Sequence, residues 1–198
     1  MVVESEYIFR VKIAETKQER DEASRLIVAK YEEEFGVRVP PAERQIIVLF
    51  NENVVGTAGL EFPVSGKFPL EEYFDIQDER FSNACIEDMV EFTRWASRYP
   101  HAGEVAVIGL TTYALSLGKK YAILSVKDKQ LDRLRALGAN MTILVAKIRQ
   151  SIPDFLIEYY AMPPYPKLIM VDIEEFKSSF LESISKFKLQ KVLVRIDF

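Results

Sequence analysis

A polar loop between an apolar strand and an apolar helix holds the residues best suited to chemistry. The pattern over 86–126 predicts strand, loop, helix and strand, with the helix expected to begin at Glu104. Free backbone N–H groups at the start of a helix bind anions, commonly a phosphate. The loop adds residues that suit the same ligand: Arg98, Tyr99, His101 and Gly103. The spacing therefore predicts a phosphate site, for which an ordinary solvated loop is the alternative.

His101 is the chain's only histidine and carries the side chain whose unperturbed pKa lies nearest neutrality. It is therefore a candidate for catalysis, with a solvent-exposed loop histidine as the alternative. The strand before the loop carries two charges, Glu91 and Arg94, in an otherwise apolar run. In a regular strand these two side chains point to opposite faces, so they share a site only if a β-bulge lies between them.

Length and composition favour a globular protein. At 198 residues the chain can bury a sizeable core, and we expect one domain over 1–198, with 167–198 as a candidate helix–strand extension. A hydrophobic content of 48% and a charged content of 28% argue against disorder. The net charge of −4 gives no reason to expect nucleic acid as a partner, because binding its phosphates requires a basic surface.

The rare residue types limit the classes further. With one cysteine, Cys85, and one histidine, the chain argues against a disulfide and against a Cys/His zinc site, so no metal is expected. Cys85 itself is predicted to be a small core residue. The apolar runs are strand-length, too short for a membrane span. The first ten residues lack the basic start and apolar stretch of a signal peptide. These features predict a cytoplasmic protein with no membrane partner.

The elements that position the loop follow from local signals. Alternation predicts a strand over 7–14, and Thr16 with Glu19 predicts the start of a helix that Gly36 ends. Strands over 44–50 and 54–62 flank Asn51-Glu52-Asn53, a hairpin signal. A helix over 129–137 and a strand over 141–146 follow the strand–loop–helix–strand pattern of 86–126. This succession predicts parallel pairing in the middle of the sheet. The C-terminal pattern predicts a strand, a helix and a strand: 168–171, 173–187 and 191–196.

Five sequence pieces resemble a known family, and they occur in the family's order. The segment VEFTRWAS (90–97) is similar to the Glu-x-Ser-Arg-Phe signature of acyl-homoserine-lactone autoinducer synthases and of the related thermostable-hemolysin-like proteins. The other four pieces are AKYEEEFGVRV (29–39), PLEEYFD (69–75), LDRLRALGA (131–139) and EYYAMPPYPKLIMVDI (158–173). Both families belong to the Gcn5-related N-acetyltransferase superfamily. The resemblance implies an α/β protein with a mixed, mostly antiparallel sheet, flanked by helices and splayed around 90–98.

The resemblance also implies an activity and assigns the candidate residues to it. An acyl group would pass from acetyl-CoA, another acyl-CoA or an acyl carrier protein to an amine acceptor. Glu91 would deprotonate the amine, and Arg94 and Trp95 would contact the substrate. A backbone N–H near 95–97 would hold the thioester oxygen. The donor's phosphates would lie against Ser97, Arg98, Tyr99, His101 and Gly103. A β-bulge beside Arg94 is expected in such a fold.

Some of the family pattern is absent from the chain. The phosphate loop lacks a glycine at its fourth position, and the helix over 129–137 has no tyrosine to act as general acid. Tyr159 and Tyr160 are the candidates for that role, with an acyl channel or simple packing as the alternatives. These departures leave a second class open, a non-catalytic binding protein of the same fold. The last strand is a candidate for pairing across a homodimer.

Overall fold

A computed structural model describes residues 6–186 and 191–198. The strands are β1 (Glu6–Ile13), β2 (Arg44–Phe50), β3 (Asn53–Glu61), β4 (Phe74–Ile76), β5 (Met89–Ser97), β6 (Tyr121–Val126), β7 (Thr142–Ile143), β8 (Ala146–Ile148), β9 (Lys167–Asp172) and β10 (Lys191–Asp197). The helices are α1 (Lys17–Phe35), α2 (Glu79–Ser82), α3 (Ala102–Ser116), α4 (Asp128–Ala136), α5 (Ile157–Tyr160) and α6 (Ile173–Lys186).

Eight strands form one mixed sheet in the order β10-β1-β2-β3-β5-β6-β9-β7. Only two neighbouring pairs, β1 with β10 and β5 with β6, are parallel. Helices α3 and α6 pack on one face around a core that includes Val105, Ile108 and Phe176, whereas α1 packs on the opposite face through Leu26 and Ile27. The predicted α/β class with a mixed, mostly antiparallel sheet is confirmed.

The prediction of parallel pairing in the middle of the sheet is correct for β5 and β6, and it is wrong for the strands beyond β6. Strand β9 lies antiparallel beside β6 and pairs with its full length, Tyr121–Val126. Because β9 takes that edge, the strand predicted over 141–146 cannot pair with β6. It is divided instead into β7, which pairs with β9, and β8, which pairs with β4 in a separate two-stranded sheet.

Local signals set the bounds of α1 and of the β2–β3 hairpin. The Thr16 side chain accepts a hydrogen bond from the Glu19 N–H, and the Glu19 carboxylate accepts from the Thr16 N–H, which completes the predicted capping box. Gly36 ends the helix with a φ of +69°. In the hairpin, Asn51 and Glu52 have φ values of +49° and +61°, the geometry of a two-residue turn between twisted strands.

The strand before the polar loop starts later than the sequence predicts, and the helix after the loop starts earlier. Residues Ile86–Asp88 form a single 3-10 turn, so the strand begins at Met89. Helix α3 begins at Ala102 rather than Glu104, because His101 adopts a φ of +63° and turns the chain into the helix. Cys85 is exposed, which corrects its prediction as a core residue: the turn holds it outside the sheet.

The C-terminal strand belongs to the main sheet. Residues Glu6–Lys12 of β1 pair in parallel with Lys191–Asp197 of β10 within the same chain, so the strand proposed for pairing across a dimer already has an internal partner along one edge. The predicted end of the preceding helix at 187 lies outside the described residues. In the described parts of the chain, no helix has the length and apolarity to cross a membrane. The same residues include no group of three or more His, Cys, Asp or Glu side chains suited to a metal ion.

Gly109 sets how closely α3 approaches the sheet. A Cβ atom added there would lie 2.3 Å from Val11 Cγ1 and 3.2 Å from Ile46 Cγ2. Replacing a helical glycine by alanine in open space stabilises by about 1 kcal/mol, but overlap in a packed core costs about 1–3 kcal/mol. We therefore expect Gly109→Ala to lower the free energy of unfolding, measured by urea denaturation.

The control is Val11→Ala, which removes the methyl groups that the new Cβ would meet. In that background Gly109→Ala should cost clearly less than in the wild-type background. Equal effects in the two backgrounds would show that Val11 does not limit the approach of α3.

Candidate functional site

An opening between β5 and β6 forms the candidate site. The two strands pair only over Met89–Glu91 and Tyr121–Ile123, and beyond Glu91 they separate. A space of about 300 Å³, called here the inner cavity, fills the gap. Its walls include residues from both strands, from α1 and from the segment around α5: Tyr31, Glu91, Trp95, Ser125, Tyr159 and Tyr160. The predicted splay of the sheet therefore produces a cavity lined by the predicted base.

A β-bulge in β5 aims the side chains at the cavity. Thr93 pairs with Gly59 and Ala96 pairs with Thr57, so Arg94 and Trp95 together face the single residue Ala58. Arg94 has a φ of +52°, a left-handed conformation that a non-glycine residue adopts rarely. The Tyr31 hydroxyl of α1 lies near the Arg94 backbone. The bulge lies where the resemblance implies it, and it brings Glu91 and Arg94 to the same cavity.

Glu91 is a buried carboxylate held by a backbone donor. The side chain is 7% exposed, and Oε2 accepts a hydrogen bond of 3.0 Å from the Leu70 N–H. Burial raises the pKa of Glu91 to about 7. This effect of burial is larger than the opposing effects of the Leu70 hydrogen bond and the nearby Arg94 charge, both of which lower the pKa. A carboxyl with this pKa exchanges a proton near neutrality, as a general base or acid must.

Arg94 forms its ion pair with Glu61 of β3 and not with Glu91. Its Nη1 lies 2.7 Å from Glu61 Oε1, and its Nε donates to the Pro40 carbonyl. Both side chains of the Arg94–Glu61 pair are largely buried. Arg94 lines the cavity, but its fixed hydrogen bonds tie β5 to β3 and to the segment after α1. Its charge acts on Glu91 over a distance rather than through an ion pair.

Tyr159 and Tyr160 lie in the same cavity as Glu91. The Tyr159 hydroxyl donates to the Ser125 carbonyl at 3.1 Å, and burial raises the pKa of Tyr159 to about 12. Burial raises the pKa of Tyr160 well above the usual value, with a further contribution from Glu91. Both tyrosines therefore keep their protons at neutral pH. Ser125 Oγ lies against the two phenol groups and has no well-formed hydrogen bond within the described residues.

The predicted phosphate residues divide into two groups. Ser97 lines the inner cavity, as does Trp95, which is predicted to contact the substrate, whereas Arg98, Tyr99, His101 and Gly103 do not. The Arg98 side chain is exposed, and its backbone N–H donates to the Val55 carbonyl. The Tyr99 ring stacks on Phe50 with centroids 4.7 Å apart. His101 is the N-cap residue of α3, and Gly103 lies in the first turn of that helix.

An ion pair occupies the beginning of α3. Glu104, in the first turn, is buried, and its Oε1 lies 2.6 Å from Arg133 Nη2 of α4. The Arg133 guanidinium also lies over the Trp95 ring at 5.3 Å, and Trp95 Nε1 donates to the Gly103 carbonyl. A carboxylate at the N-terminal end of a helix satisfies the same positive potential that a phosphate would. The site thus has an internal anion close to the predicted phosphate position.

Several lining residues were missed because nothing in the sequence marks them as polar partners. Tyr31 reads as one of the core positions on α1, spaced four residues after Ile27. Ser125 and Lys127 read as the end of an apolar strand and the start of a helix. A period-two reading of β6 would have placed Ser125 and Lys127 on one face. Ser125 lines the inner cavity, as do its strand neighbours Leu124 and Val126.

The fold and the split sheet define a class of protein, the Gcn5-related N-acetyltransferase fold. FeeM, an N-acyl amino acid synthase from uncultured soil microbes, superposes with a TM-score of 0.59 at 17% identity, covering 89% of this chain and 97% of that one. BjaI, a CoA-dependent acyl-homoserine lactone synthase solved with SAM and isopentyl-CoA, gives 0.62 at 15% identity, covering 96% and 93%. A Staphylococcus aureus acetyltransferase of the GNAT family gives 0.50 at 10%, covering 82% and 99%. At such identities the likeness shows the fold alone.

The family follows from a sequence match over most of the chain. The family model described as thermostable hemolysin matches residues 13–175, so the chain belongs to the thermostable hemolysin family. The matched range includes β5, the inner cavity and the loop before α3. A comparison with curated proteins found no match. The sequence resemblance to this branch of the superfamily is therefore confirmed.

The pKa of Glu91 predicts a pH dependence of stability. Because the folded pKa of about 7 lies above the ordinary 4.5, the protonated carboxyl stabilises the fold at low pH, and this contribution is lost as the pH rises from 4.5 through 7. Glu91→Gln keeps an acceptor for the Leu70 N–H and carries no charge. The free energy of unfolding of the variant minus that of the wild type should therefore increase by up to roughly 3 kcal/mol as the pH rises from 4.5 to 8.

Urea denaturation of both proteins across that pH range measures the difference, in which the contributions of other titrating groups cancel. Glu72→Gln, at an exposed position in the 3-10 turn before β4, is the matched control and should show no such trend. A constant difference between wild type and Glu91→Gln would show that Glu91 has an ordinary pKa.

Proposed function

We propose that the protein transfers an acyl group from a thioester, acyl-CoA or acyl carrier protein, to an amine. The observation that carries the proposal is Glu91: a buried carboxyl with a pKa of about 7 in the wall of the cavity that opens between β5 and β6. A buried, strongly perturbed carboxyl in a cavity has the properties of a general base. The structural neighbours named as acyltransferases supply the substrate class for this reading.

The chain's own groups suit the steps of such a transfer. Glu91 takes a proton from the acceptor ammonium, and the free amine forms a bond to the thioester carbonyl carbon. Backbone of β5 between the bulge and Ser97, which has no ladder partner in β6, can supply an N–H to the carbonyl oxygen. As the C–S bond breaks, the thiolate takes a proton, and the new amide nitrogen loses its second proton, which restores the proton donor. Tyr159 and Tyr160, both protonated at neutral pH, are the candidate donors.

One observation favours the second candidate, a protein that binds acyl thioesters without turnover. Glu104 and Arg133 neutralise each other at the beginning of α3, where the donor's phosphates would lie. An internal carboxylate there weakens phosphate binding by like-charge repulsion. Weak donor binding at this position reduces the positioning on which transfer depends.

A coupled assay tests the transfer. Purified protein is incubated with acyl-CoA thioesters of increasing chain length, or with acyl carrier protein loaded with the same chains, and a panel of primary amines. Release of free thiol is measured. We expect thiol release that depends on both substrates, with kcat rising as the pH rises through about 7, because the ionised form of Glu91 is the active base.

Glu91→Gln should lower kcat by about 10²-fold or more while donor binding, measured by calorimetry, is kept. Glu72→Gln should retain the wild-type rate. Donor binding without thiol release in the presence of any amine would favour the second candidate, a protein that binds acyl thioesters without turnover. An undiminished rate in Glu91→Gln would remove Glu91 as the base.

A further inference from the structure

A buried ammonium without a counter-ion lies just beyond the inner cavity. Lys127, the residue before α4, is 8% exposed. Its Nζ donates to the Glu158 carbonyl at 3.2 Å and, weakly, to the Met162 carbonyl at 3.5 Å. No carboxylate among the described residues forms an ion pair with it. Burial lowers the pKa of Lys127, since a desolvated charge is costly.

Lys127 opens into a second space, called here the outer cleft. This cleft of about 660 Å³ lies between the end of α1, the start of α4 and the segment after α5. Glu34, Phe35, Lys129 and Gln130 line both the outer cleft and the inner cavity, so the two spaces adjoin each other. The Lys127 ammonium lies over the Phe35 and Tyr159 rings, 5.9 and 5.2 Å from their centroids. Aromatic rings and carbonyls hold the charge in place without neutralising it.

The carboxylates of the outer cleft are directed elsewhere. Glu33 pairs with Lys30 at 2.7 Å and Glu34 pairs with Lys129 at 3.4 Å. Glu158 gives Lys127 only its carbonyl, because its carboxylate extends to Gly36, where an added Cβ would lie 1.9 Å from Oε2. An ammonium has three N–H donors, and the second of the two hydrogen bonds that Lys127 makes is long. At least one N–H of Lys127 therefore remains for a ligand.

A second polar atom marks the passage between the spaces. Gln130 lines both, and its Oε1 is buried with no hydrogen-bond partner in the described part of the chain. A buried acceptor without a donor is costly, so such an atom in a cavity wall indicates a ligand that donates an N–H or O–H. Glu91, Gln130 and Lys127 thus form a polar track through the site.

The register of the sheet gives the length of this track. Glu91 pairs with Ile123 in β6, and Ile123, Ser125 and Lys127 alternate onto the same face. Lys127 is four residues beyond Ile123, a distance of roughly 13 Å between their Cα atoms. The two charged groups are therefore too far apart to hold adjacent atoms of a small ligand, and they suit the two ends of an extended one.

We propose that Lys127 binds an anionic group, a carboxylate or a phosphate, at the end of the acyl acceptor remote from its reacting amine. The amine lies at Glu91, and a donor group along the acceptor meets Gln130 Oε1. This assignment rests on the proposed function for the identity of the ligand as an acyl acceptor. The anion site itself does not, because it is built from the buried charge and its surroundings.

Anion binding is tested first, without acyl transfer. The melting temperature of the full chain is measured against increasing sodium phosphate and, separately, sodium acetate, with sodium chloride keeping the ionic strength constant. Saturating acyl-CoA is present in a parallel series, so that a donor phosphate site is already filled. Lys127→Met is compared with Lys129→Met, a neighbouring lysine of the same cleft whose side chain is 83% exposed.

We expect saturable stabilisation by at least one anion in the wild type and in Lys129→Met, and its loss in Lys127→Met. The more effective anion identifies the acceptor group as a carboxylate or a phosphate. A wild type with no saturable response, or a Lys127→Met variant that responds like the wild type, overturns the proposal. Lys127→Met should be at least as stable as the wild type without added anion, because an unpaired buried charge is removed.

A matched pair of acceptors tests the acyl-transfer part. In the wild type, 6-aminohexanoate should have a lower KM than hexylamine, and Lys127→Met should raise the KM for 6-aminohexanoate about tenfold or more with little change in kcat. The KM for hexylamine should be unchanged by the substitution. Equal effects on the two amines overturn the assignment of the anion to the acceptor. Anion stabilisation together with no transfer to any amine would refute the proposed function and leave the anion site standing.

Discussion

The loss of hydrogen bonding between β5 and β6 after Glu91 is the constraint on which the site depends. Each of the two strands is held firmly on its other side, β5 by β3 and β6 by β9, so the gap does not close by sliding one strand toward the other. The bulge at Arg94 increases the local twist of β5 and turns it away from β6. Tyr31 of α1 lies beside the bulge, and the Arg94–Glu61 ion pair ties it to β3. The result is a rigid opening in the middle of an otherwise continuous sheet.

The charges around this opening are of two kinds. Arg94 and Glu61 are paired, as are Glu104 and Arg133, and in each case a cation and a carboxylate neutralise each other where the fold needs them. Glu91 and Lys127 are also buried, but neither has an ion-pair partner in the described residues. An unpaired buried charge lowers stability, so its retention is a stronger indication of function than a buried pair is. Glu91 lines the inner cavity, and Lys127 lines the outer cleft that adjoins it.

The loop before α3 shows how a small shift in a helix boundary changes a site. With α3 starting at Ala102, Gly103 and Glu104 belong to its first turn, and the polar loop is shortened to four residues after β5. Gly103 is needed there for another reason: a Cβ would lie 3.0 Å from Ser97 Oγ and 3.2 Å from Trp95 Nε1. The glycine permits close contact between the helix and the bulged strand. The start of α3 and the end of β5 therefore pack together beside the cavity.

The sequence by itself determined whatever depends on neighbouring residues. Spacing and backbone preference determine the capping box of α1, the helix end at Gly36, the β2–β3 hairpin and the position of Glu91 on a strand. The bulge beside Arg94 was implied only by the resemblance. The resemblance of ordered segments also identified the fold. The tertiary structure decided which strand lies beside β6, which carboxylate pairs with Arg94, and which of the loop residues reach the cavity. These outcomes depend on contacts between residues far apart in the chain, such as β6 with β9 or Lys127 with the segment around Glu158. Local sequence patterns carry no record of them, because pairing and burial are set by the competition of all elements for the same few edges and faces.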